Sequence, residues 1–292
     1  MKLLVTGGSG FIGRNLREGL AVDHAVVAPG HSDLDLLDEG AVCAFLREGQ
    51  FDAVIHAATW NATRVSAKDT SLTLDRNLRM FFNLLRERKS FGRFIHFGSG
   101  AEYSREHWHA GMQEDEAGRH IPSDDYGLSK LVASRCGESL PGVTNLRLFG
   151  VFGPHEDWRI RFISSNACRG LFDQPIRIRQ DRRFDFLHVD DVVAAVKGVL
   201  RSEAWEGTYN LCRGRGERLG VIVAMVLRAL GKDLPVVISE PGEGPEYSGN
   251  NRRFLERMPA WRPSDLEAGV ARQVAWLRER VDLLDPVLLE TP

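Results

Sequence analysis

Three side chains near the middle of the chain have the types and spacing to move a proton. Tyr126-Gly127-Leu128-Ser129-Lys130 separates a phenol from an ammonium by four positions, which on a helix places both on one face, one turn apart. A free tyrosine titrates near ~10. A cation held beside it favours the phenolate and draws its pKa toward the range useful to a general acid or base. Tyr-x-x-x-Lys is also a common pattern on helix surfaces, so it needs a companion. Phe97-Gly98-Ser99-Gly100-Ala101-Glu102-Tyr103 ends an apolar run and delivers the Ser99 hydroxyl at what would be the C-terminal edge of a sheet, where open α/β sheets bind ligands.

The first thirteen residues prepare a site for phosphate. Lys2-Leu3-Leu4-Val5-Thr6 runs into Gly7-Gly8-Ser9-Gly10-Phe11-Ile12-Gly13, an apolar strand that becomes a glycine-rich turn and then a helix. Glycines at 7, 10 and 13 let the chain turn tightly, bring bare N–H groups against a pyrophosphate and pack the helix on the strand. The positive end of that helix then faces the phosphates. The spacing fits both Gly8-x-Gly10-x-x-Gly13 and Gly7-x-x-Gly10-x-x-Gly13. Such a triplet carries weight only between a strand and a helix, and the amphipathic run Phe11, Ile12, Leu16, Leu20 supplies the helix.

These groups need a scaffold, and the apolar pattern predicts one. Strand-length runs at 2–6, 25–28, 53–57, 93–98 and 143–149 alternate with helical segments near 11–21, 39–49, 71–90 and 126–138, the pattern of a parallel sheet covered by helices on both faces. After about residue 150 the texture changes to Gly-Pro pairs, an arginine- and tryptophan-rich stretch, short strands near 175–180 and 208–211, and helices near 190–201, 217–230 and 264–280. The expected division is a dinucleotide-binding domain of residues 1–150 plus about 184–203, and a smaller C-terminal substrate-binding lobe of 151–183 and 204–292.

Composition narrows the partners. The 292 residues are 43% hydrophobic and carry a formal net charge of -2, enough for one large α/β core and without the basic field that nucleic acid or a membrane surface would need. Cys43, Cys136, Cys168 and Cys212 lie far apart with no C-x-x-C spacing, so neither a disulfide framework nor a metal site is expected and a reducing cytoplasm is the default. A strand that starts at residue 2 leaves no room for a signal peptide, and no apolar run approaches the ~18 residues of a membrane span.

Taken in order, the glycine loop, Asp35-Leu36, His56-Ala57-Ala58, Asn77, Ser99, Tyr126, Lys130, Phe152-Gly153-Pro154 and Asp185-Phe186-Leu187-His188-Val189-Asp190-Asp191 resemble the extended short-chain dehydrogenase/reductase (NAD-dependent epimerase/dehydratase) family acting on nucleotide sugars. Within it the resemblance is strongest to the GDP-L-fucose synthase-like 4-ketosugar reductases, through Ser32-Asp33-Leu34-Asp35-Leu36-Leu37-Asp38 and Ser264-Asp265-Leu266-Glu267-Ala268-Gly269. The resemblance implies a Rossmann-type, doubly wound α/β fold. It implies that Tyr126 is the general acid or base, that Lys130 holds the nicotinamide ribose, and that Ser99 hydrogen-bonds the sugar carbonyl. Asp35 would meet the adenine amine, Leu36 would pack on its ring, and Ala57 and Ala58 would line the cofactor path. Asn77 would tie backbone together beneath the site. His188, Asp190 and Asp191 read as a helix cap rather than a metal or relay.

Pro29-Gly30-His31-Ser32 offers no acid at the end of the second strand, and His31, with help from Arg14, favours NADP(H), with NAD(H) as the alternative. Arg161, Arg177 and Arg183, within a set that includes Arg179 and Arg182, are the expected diphosphate contacts, and Arg64 and Lys68 are weaker ones. The helices at 71–90 and 126–138 carry apolar faces (Leu74, Leu78, Phe81, Phe82, Leu85; Leu128, Leu131, Val132) that suit a homodimer built on a four-helix bundle.

The departures from the family pattern are also informative. Gly100 and Ala101 stand where the 4,6-dehydratases carry acids. Ala101 and Arg161 stand near where GDP-L-fucose synthase has the cysteine and histidine that invert ring carbons. What remains is hydride transfer alone. It fits NAD(P)H-dependent reduction of a nucleotide-linked 4-keto-6-deoxy sugar at C4 without C3/C5 epimerisation, or a 4-epimerase of the UDP-galactose type. A non-catalytic dinucleotide-binding regulator is the third reading, against which the intact Ser99, Tyr126 and Lys130 set argues.

Overall fold

The computed structural model describes residues 1–60, 65–202 and 205–289; Arg64 lies outside the described residues. The first half runs β1 (Lys2–Thr6), α1 (Phe11–Leu20), β2 (Ala25–Val27), α2 (Glu39–Gly49), β3 (Ala53–His56), α3 (Thr73–Arg86), β4 (Arg93–Ser99), α4 (Asp125–Glu138) and β5 (Val143–Leu148). The second half runs β6 (Gly150–Phe152), α5 (Phe162–Leu171), β7 (Ile176–Ile178), β8 (Arg183–Phe184), β9 (Phe186–His188), α6 (Val189–Arg201), β10 (Gly207–Leu211), β11 (Glu217–Arg218), α7 (Leu219–Leu230), β12 (Val236–Ile238), α8 (Arg252–Arg257) and α9 (Leu266–Arg278).

Six strands pair in the order β10-β5-β4-β3-β1-β2, all parallel. The strand period of two divides each strand between two cores. Leu3, Val5, Ile55, Ile95 and Phe97 join the helices α1 and α6 on one face, while Leu4, Val54 and Phe94 join α2, α3 and α4 on the other. The sheet is therefore doubly wound. From β1 the chain moves outward to β2, then returns across to β3 on the opposite side, so the topological switch point lies between β1 and β3 and a ligand crevice opens at their C-terminal ends.

The smaller lobe has its own core, where Ile163 and Ala167 of α5, Ile222, Val223 and Val226 of α7 and Val270 and Val274 of α9 meet Ile176 and Ile178 of β7. The spacing of the α7 residues is that of a helix buried along one stripe. One expectation needs correction. The segment 208–211, assigned to this lobe, pairs with β5 as the sixth strand of the main sheet, and Trp205, Tyr209, Phe254 and Trp261 pack into the sheet core rather than the lobe.

Candidate active site

The glycine turn is built as phosphate binding requires. Gly7 has φ +70, and a Cβ there would stand 2.6 Å from the Ala58 nitrogen; a Cβ on Gly13 would stand 2.1 Å from the Gly7 carbonyl oxygen. Only glycine permits this turn and this close contact of α1 with β1. Gly10 caps α1 without any side-chain hydrogen bond, so the first N–H groups of that helix face the crevice. Beside them opens a cavity of about 1030 Å³, walled by Phe11, Ile12, Ala57, Ser99, Tyr126 and Lys130 among others. The bare glycine cradle, the helix end and the cavity between them fit a dinucleotide.

Ser99 ends β4 and starts a single turn of 3-10 helix. Its Oγ accepts from the Ala101 N–H (3.2 Å), and its own N–H donates to Glu102 Oε1 (2.8 Å). Asp124 caps α4 by accepting from the Gly127 N–H at 2.9 Å, which sets Tyr126 in the first turn and Lys130 one turn later. The Ser99 hydroxyl and the Tyr126 phenol face the same cavity, and Ser99 acts on Tyr126 in the direction that favours the phenolate. Lys130 lies with its ammonium 5.8 Å from the Tyr126 ring centre and donates to the Phe97 carbonyl at 2.8 Å. Asn77 braces this from below, accepting from the Trp60 N–H (2.7 Å) and reaching Ser129 Oγ (3.3 Å), which in turn donates to the Tyr126 carbonyl (2.8 Å).

The electrostatics differ from the expectation that Lys130 would lower the Tyr126 pKa. Burial pushes Tyr126 up, against the opposing pull of the Ser99 hydroxyl and the cations Arg161 and Arg105. Burial also pulls Lys130 down to about 8, opposed by the Glu102 carboxylate. Desolvation outweighs charge at both groups, so Tyr126 is a neutral phenol at neutral pH.

The remaining expected residues divide. Arg161 lines the cavity, but Arg177 and Arg183 do not; Arg179 and Arg182 take their place. Leu36, expected against the adenine, is buried in the core with Val42 and Leu46, while Asp35 stays half-exposed and accepts from the Leu37 N–H at 2.9 Å. His31 is 83% exposed, 3.7 Å from Asp35, and Arg14 pairs with Glu18 on its own helix at 3.0 Å. The turn after β2 does contain an acid after all: Asp33 folds back to accept from the Gly30 N–H at 3.0 Å. His188 accepts from the Asp190 N–H and caps α6, as expected, whereas Asp191 does not cap that helix but ties it to Ser264, accepting from both its N–H and its hydroxyl. Among the described residues no group of three or more His, Cys, Asp or Glu could hold a metal ion, and no helix is long and apolar enough to cross a membrane.

Two cavity residues escape the sequence reading. Tyr247, nearly 150 positions from Ser99, packs on Trp108, Phe149 and Phe184 and puts its hydroxyl 2.2 Å from where a Gly100 Cβ would stand. Glu156 is buried in the cavity wall, hydrogen-bonded by Ser164, and burial raises it to about 7. Neither sits in a local motif, so only the fold reveals them.

Residues 3–212 match the family model described as NAD dependent epimerase/dehydratase family. The chain belongs to that family. Its members are NAD(P)-dependent enzymes, and similar ones include both reductases and epimerases. GDP-6-deoxy-D-mannose reductase of Pseudomonas aeruginosa is 28% identical over 81% of this chain and 82% of its own. The UDP-glucose 4-epimerase of Thermus thermophilus, solved with NAD, is 27% identical with a TM-score of 0.77, covering 95% of this chain and 99% of that one. A GDP-L-fucose synthetase from Naegleria fowleri bound to NADP shares the fold, with a TM-score of 0.83 at 17% identity over 96% of this chain and 93% of that one.

Proposed function

We propose that this epimerase/dehydratase family enzyme acts on a nucleotide-linked sugar and reduces a 4-keto-6-deoxy sugar at C4, leaving C3 and C5 untouched. The observation that carries this is the cavity wall that brings Ser99, Tyr126 and Lys130 together, with only Gly100 and Ala101 where a second acid would have to follow the edge hydroxyl. A bound nicotinamide dinucleotide supplies the hydride. Tyr126 gives its proton to the carbonyl oxygen, Ser99 donates a hydrogen bond to that oxygen, and the Lys130 ammonium stabilises the phenolate left behind. Arg161, Arg179 and Arg182 hold the diphosphate, for which guanidinium groups are well matched. The likeness to GDP-6-deoxy-D-mannose reductase supports this reading.

Two observations keep alternatives in play. The 27% identity to a UDP-glucose 4-epimerase supports a 4-epimerase, which would oxidise and re-reduce the same carbon with no net change in its cofactor. Asp33 at the end of β2 supports NAD(H), since an acid there suits a free ribose hydroxyl; His31 and Ser32 support NADP(H), which remains the favoured cofactor. We also infer a homodimer through α3 and α4. Phe81 and Leu131 are buried within the chain and are withdrawn from that interface, while Leu74, Leu78, Phe82, Leu85, Leu128 and Val132 are half-buried. Sedimentation as a monomer at micromolar concentration would count against the dimer.

The reaction is tested with GDP-, dTDP-, UDP- and CDP-linked 4-keto-6-deoxy sugars, followed at the nicotinamide absorbance and by isotope. Deuterium carried on the reduced nicotinamide should arrive at C4 alone. In D₂O no ring carbon should gain label beyond the unaided exchange of the ketosugar. Enzyme-dependent label at C3 or C5 overturns the pure reductase and points to Glu156, a buried carboxyl of the cavity wall with a raised pKa. Turnover without net cofactor oxidation would establish the epimerase.

A further inference from the structure

Directly beneath Ser99 lies a buried ion pair that the hydride-transfer reading does not use. Arg147 on β5 and Glu102 in the turn after β4 are both fully buried. Arg147 donates to Glu102 Oε2 through Nε (2.9 Å) and Nη2 (2.7 Å). Its Nη1 donates to the Tyr103 hydroxyl (2.8 Å) and to Asn210 Oδ1 (3.2 Å). The other carboxylate oxygen of Glu102 accepts from the Ser99 N–H at 2.8 Å. A buried pair of this kind costs more in desolvation than an apolar pair of the same shape, so its worth lies in what it holds in place.

We propose that Glu102, locked by Arg147, is a positioning residue of this site: it fixes the backbone of Ser99 and sets its carboxylate beside the Phe97–Gly98 peptide on which the Lys130 side chain is held. The inference rests on the reading of Ser99, Tyr126 and Lys130 as the hydride-transfer set. Among the described residues, Lys130 has only the Phe97 carbonyl as a hydrogen-bond acceptor. The titratable groups around it are His56 on β3 and His96 on β4, Tyr126 on its own helix, and Glu102 with its partner Arg147. Burial holds both histidines neutral and Tyr126 is an uncharged phenol. Lys130 is held on the Phe97 carbonyl, and Glu102 Oε1 is the nearest atom to where a Cβ on the next residue, Gly98, would stand; the carboxylate therefore lies beside the ammonium, and its charge opposes the desolvation that otherwise drives off the proton.

The test reads the lysine itself. The chain has six lysines, so protein labelled with ¹³C at lysine Cε gives a resolvable NMR titration, and Lys130→Met identifies the Lys130 signal. The wild-type midpoint should lie at about 8. Glu102→Gln should weaken proton binding at Lys130 roughly tenfold or more, moving the midpoint down by about one pH unit, and should carry the alkaline limb of kcat/KM down with it. Because Glu102→Gln leaves Arg147 without its charge partner and risks misfolding, Glu102→Val/Arg147→Met removes both charges together and should shift the midpoint in the same direction. An unchanged Lys130 midpoint in the folded single variant, or in the folded double variant if the single one does not fold, overturns the inference. Full turnover in Lys130→Met and Tyr126→Phe would overturn the site reading instead, and the two failures are read from different measurements.

Discussion

Replacing Tyr126 by phenylalanine removes one oxygen and leaves the ring on the cavity wall. Burial raises this phenol above its ordinary pKa, so in the wild type it is protonated at every pH below ~10 and is available as the proton donor throughout. A positioned general acid is worth 10²- to 10⁴-fold, or roughly 2.7 to 5.4 kcal/mol of barrier at 1.36 kcal/mol per decade. The Ser99 hydroxyl, on the same cavity wall as Tyr126, remains in Tyr126→Phe and can still donate to the substrate oxygen, which places the expected loss near the lower end, about 10²-fold in kcat. Cofactor affinity should stay close to wild type, since the cradle at Gly7, Gly10 and Gly13 is untouched. Stopped-flow single turnover with reduced cofactor and a 4-ketosugar nucleotide, with cofactor affinity measured separately by fluorescence, divides the two effects. In both proteins the first alkaline loss should come from Lys130 near a pH of about 8, not from Tyr126. Turnover within about threefold of wild type, against the ~10² that a general acid supplies, would falsify the assignment.

Gly100→Ala should lower turnover by at least about tenfold, because its Cβ would stand 2.2 Å from the Tyr247 hydroxyl and overpacking displaces the turn that carries Ser99; adding Tyr247→Phe should restore part of the loss, and no restoration would argue against this contact. Asp33→Ala should raise the NADPH-to-NADH ratio of kcat/KM by removing a carboxylate from the end of β2, and an unchanged ratio would exclude Asp33 from cofactor choice. Stability should fall with acid because burial holds His56 down to about 3 from an ordinary 6.5. The unfolded chain then binds the proton first, so this contribution is present above pH 6.5 and is lost progressively toward pH 3. It amounts to up to roughly 5 kcal/mol, and His96, also buried and neutral, acts in the same direction. Denaturant midpoints measured between pH 7 and 4 should decline more steeply in wild type than in His56→Asn, and parallel curves would refute the linkage.

What the sequence reveals of this molecule follows how local each signal is. The cradle at Gly7–Gly13 is legible because one strand, one turn and one helix start build it from consecutive residues. Tyr126 and Lys130 are legible for the same reason, since the helix repeat alone joins them. Helix α5 is harder to see: Phe-Ile-Ser-Ser-Asn-Ala-Cys-Arg-Gly-Leu has no side-chain cap at its start and small polar residues through its middle, so its helical character comes from packing on α7 and α9. Strand β10 gives a strand signal but not its address, because its partner β5 lies about 60 residues earlier. The run Val236–Ile238 looks like a buried strand, yet all three side chains are exposed in β12.

The same distinction explains why the sequence misassigns the arginines and hides the phenol of Tyr247. Composition says that cations gather between 158 and 183, but which of them reach the cavity depends on the turn between β7 and β8, where Arg179, paired with Glu240 at 2.8 Å, and Arg182 line the cavity and Arg177 and Arg183 do not. A guanidinium recognises diphosphate only if the backbone aims it. Gly100 and Ala101 read, from the sequence, as an acid pair that is missing. In the fold, Gly100 leaves the space into which Tyr247 places its hydroxyl from the far end of the chain, and the turn that includes Ala101 carries Glu102, whose charge acts on Lys130 and whose carboxylate holds Ser99. The chemistry of this site is therefore set as much by what approaches the Ser99 turn from β5 and from the loop before α8 as by the Ser-Tyr-Lys motif. Exchanging Gly100 and Ala101 for the acids of a dehydratase would leave Tyr247 and the Glu102–Arg147 pair in place, so those two substitutions alone should not produce dehydratase turnover.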